Sequence, residues 1–204
     1  MPLHSGRLLE RYTGASHLMP PPDLRAYVSV DIEASGPSPS LHALLAIGAC
    51  SVADLSRTFY VELKPTSLRS EAEAMAVHGL SLEDLSRSGL DRPEAMRRFE
   101  AWTLALVPAG AAPVFVSYNA PFDWMFINDA FHGTLGRNPF GHAALDIRSL
   151  SMGQSDAAWG TIRLNDLLDR HLHGRRLSHN ALEDARDQAA LLRALLGVEP
   201  AGAP

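Results

Sequence analysis

The sequence predicts an α/β sandwich with a mixed five-stranded sheet flanked by helices. Three observations lead there. Strand-like apolar runs come early in the chain, amphipathic helical segments fill its second half, and the later strand candidates alternate with helices. That order implies an antiparallel meander of the first three strands, with the later ones joining in parallel through helical crossovers.

The first strand is read at Ala26 to Glu33, where Val28, Val30 and Ile32 alternate with Ser29, Asp31 and Glu33. A loop rich in Gly, Pro and Ser follows, Gly36 to Ser40. The second and third strands are Leu44 to Val52 and Thr58 to Leu63, joined by a hairpin turn at Asp54 to Arg57. Leu68 to Ser88 reads as short helical pieces with Ser81 and Asp84 as a capping pair. A longer helix runs from an Asp91 N-cap through Pro93, Ala95, Phe99, Trp102 and Leu106 toward Pro108. Val114-Phe115-Val116 is apolar throughout, as expected of a strand buried on both faces. Asn119 then caps a helix with Pro121 in its first turn and Phe122, Met125, Phe126 and Ile127 on it. A fifth strand is read at His142 to Leu150 and a short helix at Leu164 to Leu168. The last helix starts from the Asn180/Glu183 capping box, carries the stripe Leu182, Ala185, Ala189, Leu192 and Leu196, and stops at Gly197.

The chain has 204 residues, which is room for one domain, read as 25–197 between tails at 1–24 and 198–204. With 46% hydrophobic and 20% charged residues it has the material for a core, and extensive disorder is excluded. A net charge of −5 excludes a broadly basic coat for nucleic acid and points away from long duplexes. Cys50 is the single cysteine, so an internal disulfide and a cysteine-built zinc site are excluded. A reducing compartment fits, and the expected localisation is cytoplasmic. The first 25 residues hold no apolar core of signal-peptide type, because Glu10 and Arg11 follow Leu8-Leu9 at once. The charge-free stretch from Ala101 to Phe122 is broken by Pro108, Gly110, Pro113 and Pro121, so no membrane contact is expected.

Residues two apart on a strand share a face, so Asp31 and Glu33 point together, opposite Val28, Val30 and Ile32. Two acids this close oppose each other's ionisation and ask either for a divalent cation or for solvent on an edge strand. Asp123, in the first turn of a helix, suits the helix dipole by roughly 0.3 to 1 kcal/mol, yet it also follows the end of a buried strand, where α/β sheets place ligands. His179 stands just before the N-cap Asn180, and Asp184 lies one turn further on, so loop and helix can bring both to one point. Each is equally compatible with a solvated surface position.

Taken together, Asp31-Ile-Glu33, the Asn-Ala-Pro-Phe-Asp123 turn and His179-Asn-Ala-Leu-Glu-Asp184 resemble the DEDDh exonucleases. That family of the ribonuclease H-like superfamily includes ribonuclease T and the proofreading subunit of replicative DNA polymerase. The resemblance spans about Tyr27 to Leu196. The related tyrosine-using subgroup is a poorer match, since this chain offers Asn180 where that tyrosine is expected. One departure follows Glu33, where many members have Thr-Thr-Gly or Thr-Gly and this chain has Ala34-Ser35-Gly36-Pro37.

The resemblance implies a ribonuclease H-like fold and a 3′-to-5′ exonuclease using two divalent metal ions, Mg²⁺ or Mn²⁺. Oxygen-only ligands suit those ions. By the same resemblance, Asp31, Glu33 and Asp184 would hold the first ion, Asp31 with Asp123 the second, and His179 would act as general base. Ala34, Ser35, Asn119 and Phe122 are the positions it offers for substrate contact. Single-stranded DNA or RNA 3′ ends are the expected partners, with association to a polymerase or a second copy left open. Arg170, His171, His173, Arg175 and Arg176 form a local basic cluster, either a hold for the phosphate chain or a solvated loop. A binding module that kept this fold without catalysis is the alternative, and the complete set of four acids and one histidine counts against it.

Overall fold

The computed structural model describes residues 23–198; positions 1–22 and 199–204, most of both expected tails, lie outside the described residues. A short 3₁₀ turn at Leu24–Ala26 leads in, capped by the Asp23 side chain, and Leu24 is already buried. The sheet has the order β3-β2-β1-β4-β5. Strands β1 (Tyr27–Ala34), β2 (Leu44–Ser51) and β3 (Thr58–Glu62) pair antiparallel in chain order. Strands β4 (Val114–Ser117) and β5 (Ala144–Asp146) add in parallel on the far side of β1. The expected meander with parallel additions is therefore what forms, and β1 is central rather than an edge.

The helices are α1 (Ala72–His78), α2 (Leu82–Ser88), α3 (Arg92–Leu104), α4 (Ala120–Leu135), α5 (Ile147–Gly153), α6 (Leu164–Leu172) and α7 (Ala181–Leu195). Val28, Val30 and Ile32 of β1 pack on one face of the sheet against Phe99 of α3 and Phe126, Ile127 and Phe131 of α4. Cys50 and Val116 face the other way, onto Ala185, Ala189 and Leu192 of α7 with Leu167 and Leu168 of α6. Strand β4 shows why a continuous apolar run marks a doubly covered strand: Phe115 serves the first core and Val116 the second.

The fifth strand is a correction. It covers only Ala144–Asp146, and the residues read as its continuation form α5. The cause is a cap: Asp146 Oδ1 accepts the Ser149 N–H at 2.6 Å and starts a helix there. Its Oδ2 accepts the Ala120 N–H at 2.8 Å, so the same carboxylate also caps α4. Asn119, expected to cap α4, instead takes a left-handed conformation (φ 60°) without a capping bond. Asp91 likewise makes no cap bond, pairing with Lys64 at 3.1 Å. Among the described residues no helix is long and apolar enough to cross a membrane.

Candidate active site

The parallel strands β1 and β4 pair only from Tyr27 to Ser29 on β1, so their carboxyl ends diverge and leave a crevice. Crevices at the ends of neighbouring strands in such sheets are where ligands bind. Asp123, on the first turn of α4, fills the gap: Oδ1 accepts the Ile32 N–H at 3.1 Å and Oδ2 accepts the Ser117 hydroxyl at 2.6 Å. A backbone amide of β1 freed by the divergence thus finds its acceptor in a side chain. The odd-numbered face of β1, with Asp31 and Glu33, lies under α7. There Gln188 donates Nε2–H to Asp31 Oδ1 at 2.7 Å and accepts the Tyr118 N–H on Oε1 at 2.7 Å.

Helix α7 reaches this position because Gly48, the β2 partner of Asp31, has no side chain. A Cβ there would stand 2.1 Å from the Ala181 carbonyl carbon and oxygen, so any other residue would lift the helix start off the sheet. One turn into α7, the buried Asp184 accepts the Ser178 N–H (2.8 Å) and hydroxyl (3.0 Å) on Oδ1 and the His179 N–H (3.0 Å) on Oδ2. Those bonds turn the loop sharply: His179 has φ 55°, a strained conformation for a non-glycine residue. Asp31, Glu33, Asp123, Asp184 and the exposed His179 all line one open cleft of about 330 Å³, with Asn119, Phe122, Arg148 and Gln188.

Charge is the dominant property of this cleft. Burial first, then the neighbouring charges of Asp123, Glu33 and Asp184, hold the Asp31 carboxyl well above the usual carboxylate range. Burial, with Asp184 and Asp123, pushes Glu33 up to about 8. Asp123 is raised to about 7, again by burial, with the bonds from Ser117 and Ile32 pulling the other way. Among the described residues no three of these groups already surround a common coordination point. The oxygens of Asp31, Asp123 and Asp184 accept from Gln188, Ser117, Ile32, Ser178 and His179 instead, each carboxylate keeping a further lone pair.

No protein-family model matches the chain. The 3′-5′ DNA exonuclease Cap18 of Escherichia coli is 46% identical over 171 residues, covering 84% of this chain and 91% of the relative. The nuclease domain of 3′hExo, a DEDDh family member solved with rAMP, superposes with a TM-score of 0.69 at 15% identity, over 84% of this chain and 91% of that one. The chain belongs to the DEDDh 3′-to-5′ exonucleases. Escherichia coli Exonuclease I, solved with a dA16 oligonucleotide, shares the fold at a TM-score of 0.63 and 16% identity, over 82% of this chain and 40% of that one.

In the exonuclease, the four acids and His179 named from sequence come together, and Asn119 and Phe122 line the same cleft. Ala34 and Ser35 do not. Ala34 is buried in the first core beside a register shift in β1, and Ser35 is fully buried, its hydroxyl bonding Arg69 O (2.7 Å) and Ala43 N (2.9 Å). Their side chains secure the loop after β1. The basic cluster also divides: Arg175 pairs with Asp187, Arg170 lines a different pocket, and Arg176 lines the depression next to the cleft. Sequence reasoning passed over Gln188, Gly48, Ser117 and Asp146. Gln188 left a trace, since it lies four residues beyond Asp184 and so shares its helical face. Gly48 left none beyond a glycine inside an apolar strand.

Proposed function

We propose that the exonuclease removes nucleoside 5′-monophosphates stepwise from the 3′ end of single-stranded or short DNA, with RNA as the other candidate polymer. The observation that carries this reading is the gathering of Asp31, Glu33, Asp123, Asp184 and His179 around one cleft. The relative Cap18, named a DNA exonuclease, favours DNA.

The donor set fits hard divalent cations. It offers carboxylate oxygens and no thiolate, and Asp31, Glu33 and Asp123, raised above all by burial, stand where a cation would offset the charge of their ionised forms. Asp31, Glu33 and Asp184 would hold one ion and Asp31 with Asp123 a second, Mg²⁺ or Mn²⁺. When bound, such ions supply counter-charge to the phosphate and lower the pKa of water. His179 receives the proton of the attacking water at an imidazole nitrogen. Water oxygen bonds to phosphorus, the bond to the upstream 3′ oxygen breaks, and that oxygen takes a proton from solvent as it leaves. Gln188 fixes the Asp31 carboxylate, the Ser178 and His179 amides fix Asp184, and Phe122 offers a face to the terminal base.

The test uses 5′-labelled single-stranded DNA and RNA of several lengths with Mg²⁺, Mn²⁺ or chelator. A descending ladder that chelator abolishes is expected. Immediate release of the 5′ label, or an unchanged ladder in chelator, contradicts the reading.

A further inference from the structure

The acid-lined cleft continues into a second depression, and the two share Tyr118, Arg148, Leu164 and Leu177. The groove they form changes sign along its length. Carboxylates crowd one end, while Arg148, Arg163 and Arg176 line the other, with Asp166 as the acid among them.

Arg148 stands at the junction, one residue into α5, where the Asp146 cap places it. Several arginines among the described residues are paired with acids: Arg87 with Glu83 and Asp84, Arg97 with Glu94, Arg137 with Glu100. Arg148 differs. Among the described residues it makes no ion pair or hydrogen bond, and its Nε is buried without a partner. A buried donor of this kind is costly unless something outside the chain satisfies it. Its Cζ lies 4.8 Å from the ring centroid of Trp159, which is 63% exposed. The turn at Ala158–Thr161, with Gly160 at φ 92°, holds the indole there. A guanidinium with an orphaned Nε lines the groove, and an exposed indole stands against it next to Gly160 at the groove's edge; together they match a phosphate and a base.

We propose that Arg148 and Trp159 form the subsite for the nucleotide upstream of the terminal one. The guanidinium holds the phosphodiester preceding the bond that is cut, and the indole stacks on the base attached to it. The strand then runs from the basic end of the groove to the acidic end, its 3′ terminus among the carboxylates. The assignment rests on the exonuclease reading above.

The test compares a short single-stranded DNA with the p-nitrophenyl ester of thymidine 5′-monophosphate, which is too small to reach the subsite. Arg148→Ala and Trp159→Ala are expected to raise KM for the strand roughly tenfold more than KM for the ester, with Trp159→Phe recovering most of the loss. Binding of a phosphorothioate strand should lose about 0.7 from its log-log salt slope in Arg148→Ala, the share of one phosphate. The same strand should quench indole emission in the wild type and not in Trp159→Phe. Equal effects on strand and ester, or none on either, overturn the subsite. A wild type that quenches with the strand yet cleaves neither substrate removes the exonuclease reading and leaves the groove; cleavage without quenching does the reverse.

Discussion

Gln188 donates to Asp31 Oδ1 at 2.7 Å and accepts the Tyr118 amide at 2.7 Å, so one buried side chain ties the acid of the central strand to the end of β4. Gln188→Ala leaves the Tyr118 amide and one Asp31 oxygen without these bonds. The expected cost is about 1 to 3 kcal/mol in urea unfolding, together with lower activity. Gln188→Glu keeps an acceptor for Tyr118 but adds another negative charge, so activity should fall with less stability lost at acid pH. A Gln188→Ala enzyme with wild-type stability and turnover would show that the bridge is idle.

Gly48 sets how closely α7 lies on the sheet. Gly48→Ala forces a Cβ to within 2.1 Å of Ala181 backbone atoms, which cannot yield as a flexible side chain would. The expected result is a loss of at least about 1 to 3 kcal/mol, with activity reduced because Asp184 and His179 move with the helix start. Thermal melting and monophosphate release on one preparation check both parts. Unchanged values in the two assays would mean the helix start is not held this way.

His179 separates stability from activity. Its left-handed backbone costs roughly 1 to 2 kcal/mol in a non-glycine residue, and glycine adopts it freely at a smaller entropic cost. His179→Gly keeps the amide that bonds Asp184, so it should fold at least as stably as the wild type while losing turnover. A destabilised His179→Gly would contradict this, as would an active one.

The acids also set a pH dependence. Without cations, Glu33 is raised from its ordinary 4.5 to about 8 and Asp123 from 3.8 to about 7. Across those windows the folded state holds protons that the unfolded chain has released, so stability falls as pH rises. Chelator-treated protein should melt at a lower temperature at pH 8 than at pH 5, and Glu33→Gln should flatten the upper part of the slope. Mg²⁺ or Mn²⁺ should raise the melting temperature more at pH 8 than at pH 5. A stability profile that rises with pH without cations would contradict the burial of these acids.

Much of this architecture was legible because period and chemistry agreed. The alternation of Val28, Val30 and Ile32 with Asp31 and Glu33 gave β1 and both of its faces, and the stripe through Ala185, Ala189 and Leu192 gave α7. What stayed hidden depends on tertiary approach. Nothing local says that Asp146 caps two helices, yet that double cap ends β5 early and starts α5. Gly48 matters only because a helix from the other end of the chain rests on it. The resemblance offers Ala34 and Ser35 for substrate contact, but the register shift after Glu33 turns their side chains into the loop's own support.

The most direct test of the shared site measures monophosphate release by Asp31→Ala, Glu33→Ala, Asp123→Ala, Asp184→Ala and His179→Ala, and by the Asp31→Ala/His179→Ala double variant, all verified as folded. Residues acting as one unit should each cost roughly a thousandfold, with the double variant little worse than its poorer single parent. Near-wild-type release by any one of them, or losses that multiply in the double variant, would mean that the five side chains do not work together.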